Sequence, residues 1–266
     1  MDLLKAFLIG VRLAIPAQGM SHGHIRMFYK GIKGLENEYY DQDKIQKWDK
    51  EIKTAYQDLK SILDTNEHIS EKVIEMDKVC QQYNFLENLQ EYFVDIGLID
   101  FFIKSPLYAQ EDYFETQEWL RIEEELADRG TELLNWLLYI EEAKSAQAEI
   151  SLQNYIEDFL LIGDEMNEDQ DNLKIYEPLI DVQDFLDQTP LDLFLLYERI
   201  PEDHPLKNIA FPMMCYFRAN KPIEACLLSC INCGGNIVEH GSVLACALCA
   251  THGWADFPQP YQKYFE

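Results

Sequence analysis

Four cysteines near the C-terminus have the types and spacing to do chemistry: Cys230-Ile231-Asn232-Cys233 and, after a spacer of twelve residues, Cys246-Ala247-Leu248-Cys249. A two-residue gap lets a tight turn aim both sulfurs the same way, so two such pairs put four thiolates in reach of one tetrahedral Zn2+. Four thiolates also close the coordination sphere and leave no position for water or substrate, so the chemistry expected is structural: metal-binding energy spent as folding energy. A redox dithiol would need only one of the pairs and would leave the other unexplained.

Gly234-Gly235 follows the first pair and can supply the positive φ that a tight turn demands. Between the pairs, Asn236-Ile237-Val238-Glu239-His240 and Ser242-Val243-Leu244-Ala245 read as two short strands about Gly241, a hairpin that would carry one pair to the other. With these features the segment from about 225 to 255 resembles a zinc ribbon. The resemblance implies structural zinc on Cys230, Cys233, Cys246 and Cys249 and a small β module. It does not choose a function, because such modules serve nucleic-acid machines, enzymes and adaptors alike.

Charge narrows that choice. Residues 204–266 hold four acidic and four basic side chains, and none of the basic ones lies between the cysteines. Phosphate-binding surfaces gather Lys and Arg, so nucleic acid is not the expected partner. The apolar side chains Leu227, Leu228, Ile231, Val243, Leu244, Leu248 and Trp254 point instead to packing on the rest of the chain or on another protein.

The whole chain of 266 residues carries a formal net charge of −26, unevenly placed. Residues 105–203 hold 27 acidic and 5 basic groups, a net of −22, whereas residues 1–104 hold 17 and 13. Such a field repels nucleic acid and anionic membrane and favours a basic protein partner. The plainer alternative is a solvated acidic surface. Seven cysteines with no disulfide framework suit a reducing compartment. Arg12 and Asp2 break the pattern of a secretory leader, and no apolar run is long enough to span a bilayer, so the expectation is a soluble, cytoplasmic protein.

The elements that must position these groups read as helices. Leu4, Phe7, Leu8, Val11 and Ile15 form one face of a short amphipathic helix ended by Pro16. Ile45, Trp48, Ile52, Ala55 or Tyr56, Leu59 and Ile62 or Leu63 make a second stripe, begun by Asp41 and Asp43. A third runs from Ile69 through Val73, Met76, Cys80, Tyr83 and Leu86 to Phe93, with Ser70 as cap and Gly97 as stop, and pairs with the second as an antiparallel hairpin. Further helices are expected from Phe114 to Gly130, from Thr131 through Trp136 and Ile140, and from Leu152 to Ile162. Ile209 to Arg218 reads as an apolar helix or strand.

The fold expected is mainly α, an irregular bundle or stack of helical hairpins with a small C-terminal zinc-ribbon β module. Residues 1–163 form the helical domain, 164–222 an acidic linker with short helices packing on the body, and 223–266 the zinc module.

No motif marks an enzyme. His22-Gly23-His24 is the one histidine cluster, without further ligands on a helix, and there is no phosphate-cradling glycine loop or nucleophile elbow. Asp164 to Asp171 lacks the central Gly and terminal Glu of an EF-hand. The reading carried forward is a cytoplasmic protein-binding factor, of inhibitor, immunity or assembly-adaptor type, engaging a basic protein. Its alternative is an enzyme with a carboxylate-lined site on the helical body.

Overall fold

The computed structural model describes residues 2–18, 41–65, 69–83, 85–86, 128–151, 154–155, 207–218 and 222–266. Among these the architecture is mainly α, with no strand. The helices are α1 (Asp2–Ala14), α2 (Gln42–Leu63), α3 (Ile69–Gln82), α4 (Asp128–Ala146), α5 (Lys207–Arg218), α6 (Ile223–Ile231), α7 (Ile237–His252) and the single turn α8 (Gln259–Gln262). Short 3₁₀ turns occupy Ile15–Ala17, Trp254–Asp256 and Lys263–Phe265. The expectations placed on His22 and His24, on 87–97, on 106–126, on 156–162 and on the acidic stretch 164–205 lie outside the described residues.

Helix α2 forms where its pattern says it should. Asp41 caps it, its carboxylate accepting from the N–H of Asp43 at 3.1 Å and from that of Lys44 at 3.2 Å, the usual way to satisfy donors in a first turn. Ile45, Ile52, Ala55, Tyr56 and Leu59 bury one stripe, while the Lys and Glu positions stay wet. The buried Lys72 of α3 reaches back to the end of α2, its ammonium donating to the carbonyls of Leu63 and Thr65 at 3.0 and 2.7 Å. Those carbonyls lie where a helix end lacks internal partners. Helix α3 starts at Ile69, so Ser70 lies inside it rather than capping it, and it ends at Gln82 rather than running on to Phe93. Leu86 N–H then bonds the Tyr83 carbonyl at 2.7 Å, and Tyr83 Oη donates to Asp58 of α2 at 2.8 Å, so the chain turns where the ring anchors to its neighbour.

The core is built on α1 and α7. Leu4, Phe7, Leu8, Ile9, Val11 and Leu13 are fully buried, each contributing roughly 1.5–3 kcal/mol by the area it withdraws from water. Helix α1 is therefore enclosed on all sides instead of presenting one apolar face, and the chain tightens into the Ile15–Ala17 turn at Pro16. Against it lies α7, buried continuously from Ile237 to Ala250 and flanked by α4, α5 and α6. Gly10 and Gly241 meet where the two helices cross.

Two expectations need correction here. The two strands placed over residues 236–245, and with them the β module, are replaced by the single helix α7. Gly241 reads as a turn, but it is an interior helical glycine that admits the backbone of α1. A segment buried all round has no amphipathic period to betray a helix. Gly234 and Gly235 do take positive φ, at 86° and 74°, in the turn that joins α6 to α7. Helix α4 also runs unbroken through Gly130, where the sequence suggests a break between two helices. Burial of Leu133, Trp136, Leu137 and Ile140 outweighs the roughly 1 kcal/mol that an interior glycine costs a helix. Of the two states open to Ile209–Arg218, helix or strand, the structure takes the helix, within α5 and with Pro212 inside it.

The C-terminal segment straps these helices together. Tyr261 Oη donates to Glu224 of α6 at 2.7 Å, Tyr264 Oη to Asp49 of α2 at 2.6 Å, and the Phe265 and Tyr56 rings lie 4.6 Å apart. Asp49 is paired in turn with Arg12 of α1. No described helix is long and apolar enough to cross a membrane.

Candidate functional site

The four cysteines singled out by spacing sit on or beside helices. Cys230 lies in the last turn of α6, Cys233 follows in the loop, and Cys246 and Cys249 lie within α7. A helix rises roughly 1.5 Å per residue, which sets Cys246 about 13 Å along α7 from the turn that holds Cys233. All seven cysteines are buried, and none is in a disulfide.

Their thiols address protein groups. Cys233 Sγ donates to the Ser229 carbonyl at 3.2 Å, Cys246 Sγ to the Leu3 carbonyl of α1 at 3.6 Å, and Cys226 Sγ to the Cys215 carbonyl at 3.7 Å. Burial pushes the Cys230 thiol well above its ordinary range, and the neighbouring Cys215, Cys233 and Cys226 add to the shift, as expected where a thiolate would be both desolvated and crowded. The neighbours of Cys230 are thus other residues of α5, α6 and the turn. Among the described residues no three His, Cys, Asp or Glu side chains are disposed to hold a metal ion.

A concave site among the described residues lies where α2, the end of α3, the turn after α1 and the start of α7 meet around a cavity of about 410 Å³. Helix α2 supplies Lys47, Trp48 and Glu51, and the end of α3 supplies Gln82, Tyr83 and Phe85. Spacings of three and four set Lys47, Trp48 and Glu51 on one helical face. Ile15 and Gln18 from one side and Asn236 and Val238 from the other complete the wall. Lys47 Nζ lies 3.7 Å from Glu51 at the exposed rim. The Tyr83 and Phe85 rings lie 5.6 Å apart, tilted by 43°. Burial, and next the hydrogen bond to Asp58, push the Tyr83 phenol up to about 12, which keeps it a neutral donor.

Behind this wall stands Glu239, wholly buried, with its carboxylate accepting from the Asn236 side-chain amide. Next to it, His240 is also fully buried, its Nε2 3.2 Å from Asn208 Oδ1 and its ring 5.1 Å from that of Phe211.

Sequence reasoning misses this site. Trp48 belongs to a stripe that reads as core, yet it is only half buried and faces the cavity. Glu239 and His240 read as strand residues and stand on α7. The available signal is the set Lys47, Trp48 and Glu51, a large aromatic flanked by opposite charges on one helical face, which periodicity alone cannot tell from a core edge.

Compared with known proteins, the chain matches no protein family, no curated protein and no solved structure.

Proposed function

We propose that this chain is a protein-binding factor, of inhibitor, immunity or assembly-adaptor type, whose acidic middle third engages a basic protein partner in the cytoplasm. The observation that carries the reading is the concentration of charge: 27 acidic against 5 basic residues over 105–203, within a chain of net −26. A field of that size speeds encounter with a cationic surface and rejects anionic ones. The strapped helical core, with Arg12, Asp49 and Tyr264 joining three distant parts of the chain, is a suitable rigid support for such a surface.

The proposal includes a structural Zn2+ held by Cys230, Cys233, Cys246 and Cys249, which their paired spacing supports.

The test neutralises Asp164, Glu165, Glu168, Asp169 and Asp171 to the corresponding amides and compares recovery of the basic partner from cells at low and moderate salt. The variant is expected to lose the partner at a salt concentration the unaltered chain tolerates. Equal recovery by both chains would remove the electrostatic basis of the proposal. The enzyme alternative is favoured by one observation, the buried Glu239 one hydrogen bond behind the cavity wall. It would gain weight if the chain proved solitary.

A further inference from the structure

We propose that the cavity between α2, the end of α3 and the start of α7 binds an organic cation, an alkylated ammonium group seated against Trp48, Tyr83 and Phe85 with Glu51 as its counter-charge. The cavity holds about 410 Å³. Small-molecule sites run from roughly 300 to roughly 1000 Å³, so the space suits a small ligand. Its wall carries three aromatic side chains, and aromatic faces attract a weakly hydrated cation through the ring quadrupole, most strongly for indole. Tyr83 donates its hydroxyl hydrogen to Asp58, so the phenol is fixed in place and its ring made more electron-rich. Glu51 lies on the same wall, with Ile15 and Val238 beside it. These two supply the apolar surface that alkyl groups on the nitrogen require.

Lys47 is the one cation on this wall among the described residues. Its ammonium is 3.7 Å from Glu51, and its side chain is 73% exposed. A primary ammonium is more strongly hydrated than an alkylated one, and Lys47, largely exposed and beside Glu51, occupies the rim and competes for Glu51 without filling the cavity. An entering alkylammonium takes over Glu51 while Lys47 returns to water. The net charge of −26 raises the local concentration of any cation and disfavours anionic ligands of the same size. This inference stands on the cavity and not on the acidic middle third, so either can fail without the other.

The experiment titrates choline chloride into the full-length protein by calorimetry at constant ionic strength, beside 3,3-dimethylbutan-1-ol, which has the same shape without the charge. Choline is expected to bind saturably and the neutral analogue roughly tenfold or more weakly, because the cation–π and Glu51 contributions vanish with the charge. Trp48→Ala should abolish binding, and Lys47→Gln, which frees Glu51 at an exposed position, should tighten it several-fold. Should Trp48→Ala fail to fold, the Lys47→Gln comparison and the neutral analogue still decide. Absence of choline binding by the folded protein, equal affinity for the neutral analogue, or no tightening in Lys47→Gln would overturn the proposal.

Discussion

A Cβ added to Gly10 would stand 2.3 Å from the carbonyl oxygen of Gly241, so α1 and α7 cross with their backbones in contact. The reverse substitution is less severe, since a Cβ on Gly241 would meet the Gly10 carbonyl oxygen at 3.2 Å and the Ile231 side chain at 3.3 Å. Gly10→Ala should therefore destabilise the protein by about 2 kcal/mol net of its gain in helix propensity, lowering the melting temperature by about 5 °C. Gly241→Ala should cost less than half of that. Thermal melts of the two variants check the order, and equal melting temperatures would contradict the crossing.

How much of this fold could be read in advance depended on how each helix is buried. Helix α2 has one wet face, so its stripe from Ile45 to Leu59 and its Asp41 cap announce it. Helix α7 is enclosed on every side, and its apolar run around Gly241 is as compatible with two buried strands as with a helix. The cavity was invisible for a different reason. Trp48, Tyr83 and Val238 come from three separated segments, and only tertiary packing brings them to one wall. The spacing of the cysteines is plain in the sequence, but spacing along the chain does not state whether the intervening residues form strands or, as here, a helix.

The Arg12–Asp49 pair is asymmetric, and its variants should show it. The Arg12 side chain is 4% exposed and Asp49 31%, and Arg12 Nη1 is buried without a hydrogen-bond partner among the described residues. Asp49→Ala strands a buried guanidinium and should cost on the order of 3 kcal/mol, whereas Arg12→Met leaves a carboxylate that water can reach and should cost less. Urea unfolding of both variants measures the difference, and a larger loss for Arg12→Met would contradict the account.

Alkaline pH should unfold this protein earlier than tyrosine content alone suggests. Burial holds the Tyr216 phenol up at about 12, and burial together with the hydrogen bond to Asp49 raises that of Tyr264, both from an ordinary 10.0. Above about pH 10 the unfolded chain releases protons that the folded chain retains, so the stability these groups contribute is present below that pH and is lost as pH rises toward their folded values. Each contributes a slope of about 1.4 kcal/mol per pH unit in that window. Tyr264→Phe should flatten the fall in stability between about pH 10 and pH 12, as followed by chemical denaturation, and an unchanged slope would contradict the burial of Tyr264.

Zinc on Cys230, Cys233, Cys246 and Cys249 is the proposal that their paired spacing makes, and a structural site of that kind contributes folding energy. Elemental analysis is expected to find one zinc per chain, and a strong chelator to lower the melting temperature. A protein free of zinc, or a melting temperature unmoved by the chelator, would contradict the site.

The most direct measurement of the central claim is native mass spectrometry of the intact protein purified gently at low salt, repeated across rising ionic strength. The account predicts a complex with a basic protein that dissociates steeply with salt, with cross-links from the partner falling within residues 105–203. A solitary chain, or a partner held with salt-independent affinity outside that segment, would contradict it.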